Sequence, residues 1–115
     1  MLHEFVSDYS RFEIRVSGSP AFVTFLQGLP AMTELRTKLQ SMVDTLNERP
    51  DAGEYVQRNL WPHDYRDLEL ENLFRYEVDA FRRATYTIGR RGMTIDVQNI
   101  EFFPTHKDYD RRFRY

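Results

Sequence analysis

Apolar residues recur along this chain in two rhythms. Phe12, Ile14 and Val16 alternate with Glu13, Arg15 and Ser17, the period of a strand with one covered face. Ser19-Pro20 then offers a side-chain N-cap followed by a first-turn proline. A short helix is therefore predicted, with Phe22, Val23 and Leu26 on one side and Gly28 and Pro30 ending it. The next helix has the clearest pattern. Met32, Leu35, Leu39, Met42, Val43 and Leu46 form one apolar stripe, while Glu34, Arg36, Lys38, Asp44 and Glu48 occupy the other face and Pro50 stops the run. Joined by Gly28-Leu29-Pro30, the two helices are predicted to pair as an αα-hairpin.

Residues 51–71 follow neither rhythm. Asp51-Ala52-Gly53 is turn chemistry, Leu60-Trp61-Pro62 is placed to tuck an anchor onto the fold, and the acidic stretch from Asp64 to Glu71 reads as a solvated loop. Three strands are predicted next. Phe74, Tyr76 and Val78 alternate in the first, and Ala84, Tyr86 and Ile88 in the second, with a short connection at Gly89-Arg90-Arg91-Gly92. The third carries Met93, Ile95 and Val97 on one parity but Ile100 and Phe102 on the other, a change of phase that predicts a β-bulge near Asn99. The order is β-α-α-β-β-β. It predicts an α+β fold, a mostly antiparallel sheet with the αα-hairpin packed on one face, where the helical stripe meets Ile14, Tyr76, Ala84 and Ile95. Residues 1–115 are read as one domain, with residues 1–11 as an N-terminal extension of unassigned role.

Composition narrows the classes. Hydrophobic residues at 41% and aromatics at 15% supply a core and exclude global disorder. Cysteine is absent, which rules out disulfides and zinc–thiolate sites and suits the cytoplasm, and no apolar run approaches the ~20 residues of a membrane span. MLHEFVSDYS lacks the basic and apolar regions of a signal peptide. The net charge is −2, yet unevenly spread: residues 1–80 hold 8 cationic and 14 acidic side chains, residues 81–115 hold 8 and 4. Such asymmetry can mark an anion-binding face, or can be averaged away by folding.

Most catalytic signatures are missing. His3, His63 and His106 show no metal-ligand spacing, so no metal and no cofactor is expected, and neither a phosphate-binding glycine loop nor a G-x-S-x-G nucleophile motif occurs. The last third is different. Arg83 lies in a strand with parity opposite to Ala84, Tyr86 and Ile88, so it is expected on the sheet face that the hairpin leaves open. His106 follows the neighbouring strand in FFPTHKDYDRRFRY. A guanidinium that holds a phosphate beside an imidazole that moves protons suits phosphodiester cleavage. The structural alternative pairs Arg83 with Glu77 or Asp96 and leaves His106 as a strand cap.

The segments FRYEVDAFRRATYTI and GMTIDVQNIEFFPTHKDYDRRF resemble the C-terminal half of RelE/ParE-superfamily toxins, and THKDYDRRF is closest to the HigB-like branch. With the preceding hairpin, the resemblance extends over roughly residues 12–113. It implies the toxin of a type II toxin–antitoxin system: a metal-independent, ribosome-dependent mRNA endonuclease that inhibits translation, with a cognate antitoxin, mRNA and the ribosome as partners and no membrane. By the same resemblance, Arg83 would contact the scissile phosphate, and His106 with Tyr109 would handle protons. Arg75 and Lys107 would be supporting cations, and Arg82, Arg111 and Arg112 are assigned to phosphate binding with them. If the basic last third is a nucleic-acid surface, Arg82, Arg83, Lys107, Arg111 and Arg112 are expected to cluster in space. Where nuclease members are lysine-rich, this chain has RNLWPHDYRDLELEN, with only Arg58 and Arg66 against several acids. That lowers the counterion-release contribution to RNA binding. It keeps open a non-enzymatic binding module on the same fold, a ParE-like gyrase inhibitor or a protein-interaction domain.

Overall fold

The computed structural model describes residues 9–30 and 33–113, His106 by its backbone alone. The alternating run becomes strand β1 (Glu13–Gly18), and helix α1 (Pro20–Gly28) starts where Ser19-Pro20 predicts, with the Ser19 hydroxyl accepting from the Phe22 N–H at 3.1 Å. Helix α2 (Glu34–Glu48) is capped by Thr33, and it buries Leu39, Met42 and Leu46 while its charged side stays outside. Met32, counted in the stripe, and residues 1–8 of the N-terminal extension lie outside the described residues.

The sheet is completed by β2 (Glu54–Tyr55), β3 (Phe74–Glu77), β4 (Arg83–Arg91) and β5 (Thr94–Phe103), in the spatial order β1-β5-β4-β3-β2. β1 runs parallel to β5 and every other pair is antiparallel, so the predicted α+β architecture holds, with β2 as a short addition at one edge. The hairpin turn is narrower than Gly89–Gly92. Gly89 sits in regular pairing with Asp96, and the turn is Gly92-Met93, where Gly92 has φ +58°, a conformation that favours glycine. Gly53 is required for a different reason: a Cβ there would come 2.6 Å from the Arg75 carbonyl oxygen and 2.8 Å from the Tyr86 hydroxyl.

The bulge is present. Thr85 pairs with Glu101 and Tyr86 with Asn99, which leaves Ile100 as the extra residue. The Ser19 hydroxyl donates to the Ile100 carbonyl at 2.9 Å, so the N-cap of α1 also satisfies the bulged backbone. The shift in phase turns Phe102 back toward the hairpin face and Phe103 toward the opposite one.

Two cores result. On the hairpin face, Leu39, Met42, Leu46 and Phe22 pack on Ala84, Tyr86, Ile88, Ile95, Val97 and Phe74, with Ile14 and Tyr76 at the margin. The other face was expected to be open, but it is covered. A 3₁₀ turn (Arg58–Leu60), a one-turn helix α3 (His63–Arg66) and a C-terminal helix α4 (His106–Phe113) close it, burying Val56, Trp61, Tyr65, Leu73, Phe103, Tyr109 and Phe113. The predicted anchor is therefore correct: Trp61 is buried and its indole N–H donates to the Val56 carbonyl at 3.0 Å. The predicted solvated loop after it is corrected in part, since Asp64 to Arg66 belong to α3 and Tyr65 is core. No helix among the described residues is long and apolar enough to cross a membrane.

Candidate functional site

The segment read as a tail is a helix because Thr105 caps it. The Thr105 hydroxyl accepts from the Asp108 N–H at 3.0 Å and donates to the Asp108 carboxylate at 2.8 Å, a side-chain N-cap in the spacing T-x-x-D. Tyr109 and Phe113, one turn apart, then drop onto the sheet, stacked on each other with ring centroids 4.3 Å apart and edge-on to Phe103. Arg112 ties this helix down: Nη1 reaches Asp64 at 3.1 Å, Nε reaches Glu101 at 3.3 Å, and the guanidinium lies over the Tyr65 ring. Tyr65 donates to Glu101 at 2.5 Å and shares a hydrogen bond with Thr85. Burial, with the Glu101 carboxylate beside it, pushes the Tyr65 hydroxyl well above the usual phenol range, so it acts as a donor and not as a base.

Between α3 and α4 lies a cleft of about 840 Å³ over the end of β5. His63 and Arg66 line one wall, Asp108, Arg111 and Arg112 the other, and Glu101 and Phe102 the floor. Its carboxylates are engaged: Asp64 and Glu101 by Arg112, and Asp108 by the cap. Arg66 and Arg111 are exposed and have no ion-pair partner among the described residues. Sequence reasoning included Arg111 and Arg112 but missed His63, Arg66 and Asp108 as lining groups. The T-x-x-D spacing could have revealed the helix that positions the last of these.

The residues proposed from the resemblance are placed unevenly. Arg83 stands opposite Phe103 in the β4–β5 register, and His106 follows Phe103 by three residues, so the two come to the same end of the sheet. Arg83 is not open to solvent, however. It is only 8% exposed, and its Nη1 donates to the carbonyls of Asp79 at 3.0 Å and Arg82 at 3.2 Å. Its Nη2 lies 3.6 Å from Glu77, one of the two partners named by the structural alternative. Tyr109, expected to help with protons, is 1% exposed and serves as a core ring. That corrects its assignment: a phenol enclosed by Phe103, Phe113 and the Arg75 guanidinium, 5.7 Å from its ring, has no path to a bulk substrate.

The cations also disperse into separate networks. Arg75 pairs with Glu54. Arg82 pairs with Asp79 at 2.6 Å, and Lys38 of α2 reaches the same carboxylate at 3.2 Å. Although partial burial works against ionisation, the backbone N–H groups of Phe81 and Arg82 and the two cations hold the Asp79 carboxyl at about 2. Lys107 is exposed on the first turn of α4, and only Arg111 and Arg112 share the cleft. The expectation of one compact basic patch is therefore corrected: acidic side chains contributed by the first 80 residues interleave with the C-terminal cations. Among the described residues no group of three or more His, Asp or Glu is arranged to hold a metal ion. Compared with family models, curated proteins and solved structures, the chain has no significant match in any of the three.

Proposed function

We propose that this chain is a RelE/ParE-like toxin, closest to the HigB-like branch, that acts in the cytoplasm as a metal-independent endoribonuclease on ribosome-bound mRNA. The observation that supports this reading is the register of β4 and β5, which sets Arg83 opposite Phe103, three residues before His106, at one end of the sheet. In the proposed step the RNA 2′-hydroxyl attacks the adjacent phosphorus and the bond to the 5′-oxygen breaks. One proton leaves the 2′-oxygen and one reaches the departing 5′-oxygen, leaving a 2′,3′-cyclic phosphate and a free 5′-hydroxyl. His106 is assigned the proton transfers. Arg83 is assigned the developing charge on the phosphate. Nη1 is committed to backbone carbonyls, so the phosphate would be met by Nη2, whose contact with the exposed Glu77 is long. The cations at the cleft, Arg66 and Arg111, extend the phosphate-binding role given to Arg111 and Lys107. A cognate antitoxin is the partner that the toxin reading requires.

A second reading is favoured by a specific observation. The enclosure of Arg83 and Tyr109 and the neutralisation of Arg75, Arg82 and Arg112 suit a domain that binds a protein target without cleaving RNA. The two are separated by inducing the chain in cells and following protein and DNA synthesis together. An immediate stop in protein synthesis, abolished by His106→Ala, supports the nuclease. A first effect on replication, or an undiminished effect of His106→Ala, overturns it in favour of the binding module.

A further inference from the structure

β1 ends the sheet on the side away from β2, and among the described residues no strand pairs with its outer edge. In its parallel pairing with β5, the Glu13 N–H donates to the Met93 carbonyl at 2.9 Å and the Ser19 N–H donates to the Asn99 carbonyl at 2.8 Å. Odd-numbered residues therefore direct their backbone groups inward to β5, and Ile14, Val16 and Gly18 direct theirs outward. The exposed edge is six residues long and contains no proline, bulge or lysine; of the devices by which edge strands avoid pairing it carries only the charges of Glu13 and Arg15, which are of opposite sign. Its side chains divide cleanly: Ile14 and Val16 pack toward the hairpin, while Glu13 and Arg15 are exposed on the other face.

We propose that β1 pairs antiparallel with β1 of a second copy of this chain, about a two-fold axis through Ile14. Three features select that register. The outward backbone groups of Ile14 face those of its counterpart, giving a hydrogen-bonded pair on the axis. Val16 falls opposite the partner's Phe12, extending both apolar faces. Glu13 falls opposite the partner's Arg15, and symmetry repeats that opposite-charge pair on the other side. Moving the axis by one residue to Arg15 would place two guanidiniums directly opposite, and moving it to Val16 would lose the Glu13–Arg15 pairing. Within one chain Glu13 and Arg15 already touch at 2.6 Å, with both side chains 60% exposed, so the dimer exchanges a solvated local pair for two cross-strand pairs. The result is a continuous ten-stranded sheet that leaves the α3–α4 cleft of each copy open.

The test is sedimentation velocity of the full chain across a concentration series, with Glu13→Arg, Arg15→Glu and the double charge swap. The parent is expected to dimerise. Each single variant sets like charges opposite at two places and should raise the dimer dissociation constant about tenfold or more. The double swap should restore dimerisation, and an equimolar mixture of the two single variants should form the heterodimer. A parent that stays monomeric, or a dimer indifferent to either single variant, overturns the proposal. Slow amide exchange at Ile14 and Val16 in the dilute monomer would also overturn it, because the edge would then be covered from within the chain.

Discussion

The two faces of the sheet are built from different kinds of information. The hairpin face is covered by α1 and α2, whose apolar stripe recurs with helical period and meets alternating strand residues. The opposite face is covered by short pieces: a 3₁₀ turn, the four residues of α3 and the eight of α4. Its core is mostly aromatic, with Trp61, Tyr65, Phe103, Tyr109 and Phe113 clustered beside Val56 and Leu73. One face is held by periodicity, the other by a few large rings and one arginine clamp. The second face borders the cleft and the β5–α4 junction, so residues that resemble catalytic ones also carry packing there.

The largest effects test whether the second face is as much a core as the first. Tyr109→Ala should destabilise by about 3–5 kcal/mol and Leu39→Ala by about 2–5 kcal/mol, both measured by urea unfolding. If α4 were a solvated tail, Tyr109→Ala would change stability by less than about 0.5 kcal/mol, the range of ordinary surface substitutions. That result would leave the second face without its aromatic core and return Tyr109 to the solvent.

Arg83 is the next test. Replacing it with Ala leaves the carbonyls of Asp79 and Arg82 without their guanidinium donor, and should lower stability by about 1–3 kcal/mol. An Arg83→Ala variant as stable as the parent would mean that the guanidinium is not held by the turn and is free for a phosphate. Activity measured on this variant must therefore be read at equal folded fraction.

A smaller and pH-dependent effect comes from Asp79, which joins α2 to the β3–β4 turn through Lys38. Its folded carboxyl sits at about 2, below the ordinary 3.8, so its contribution to stability is present above the ordinary value and lost as pH falls through about 2. Thermal melts between pH 5 and pH 2 should show a smaller acid loss for Asp79→Asn than for the parent. Equal losses would show that the carboxylate is not held by those partners.

What the sequence made legible follows the same division. Leu39, Met42 and Leu46 repeat at helical spacing, and the phase change between Val97 and Phe102 marked the bulge, because both signals are local. The covered face was not legible for a physical reason. Tyr109 and Phe113 are the only two apolar positions of an eight-residue helix whose other residues are polar, too few to set a period, and Pro104 before them reads as a stop. The cap signal Thr105-x-x-Asp108 was present and is the local feature that would have changed the reading. Arg83 was placed in the sheet by parity, but its burial goes with guanidinium hydrogen bonds to the carbonyls of Asp79 and Arg82, which the parity rule does not reveal. Charge dispersal is only partly local: Asp79 lies three residues before Arg82, whereas Asp64 reaches Arg112, and Glu54 reaches Arg75, only after folding.

The most direct measurement is single-turnover cleavage of mRNA on programmed ribosomes by the parent and by His106→Ala. The expected result is cleavage by the parent that persists with a chelator selective for transition metals, a 2′,3′-cyclic phosphate at the cut end, and a rate lowered about 10²–10⁴-fold in His106→Ala, which should keep the parent's unfolding midpoint. No cleavage by the folded parent, or equal rates for the two proteins, would contradict it.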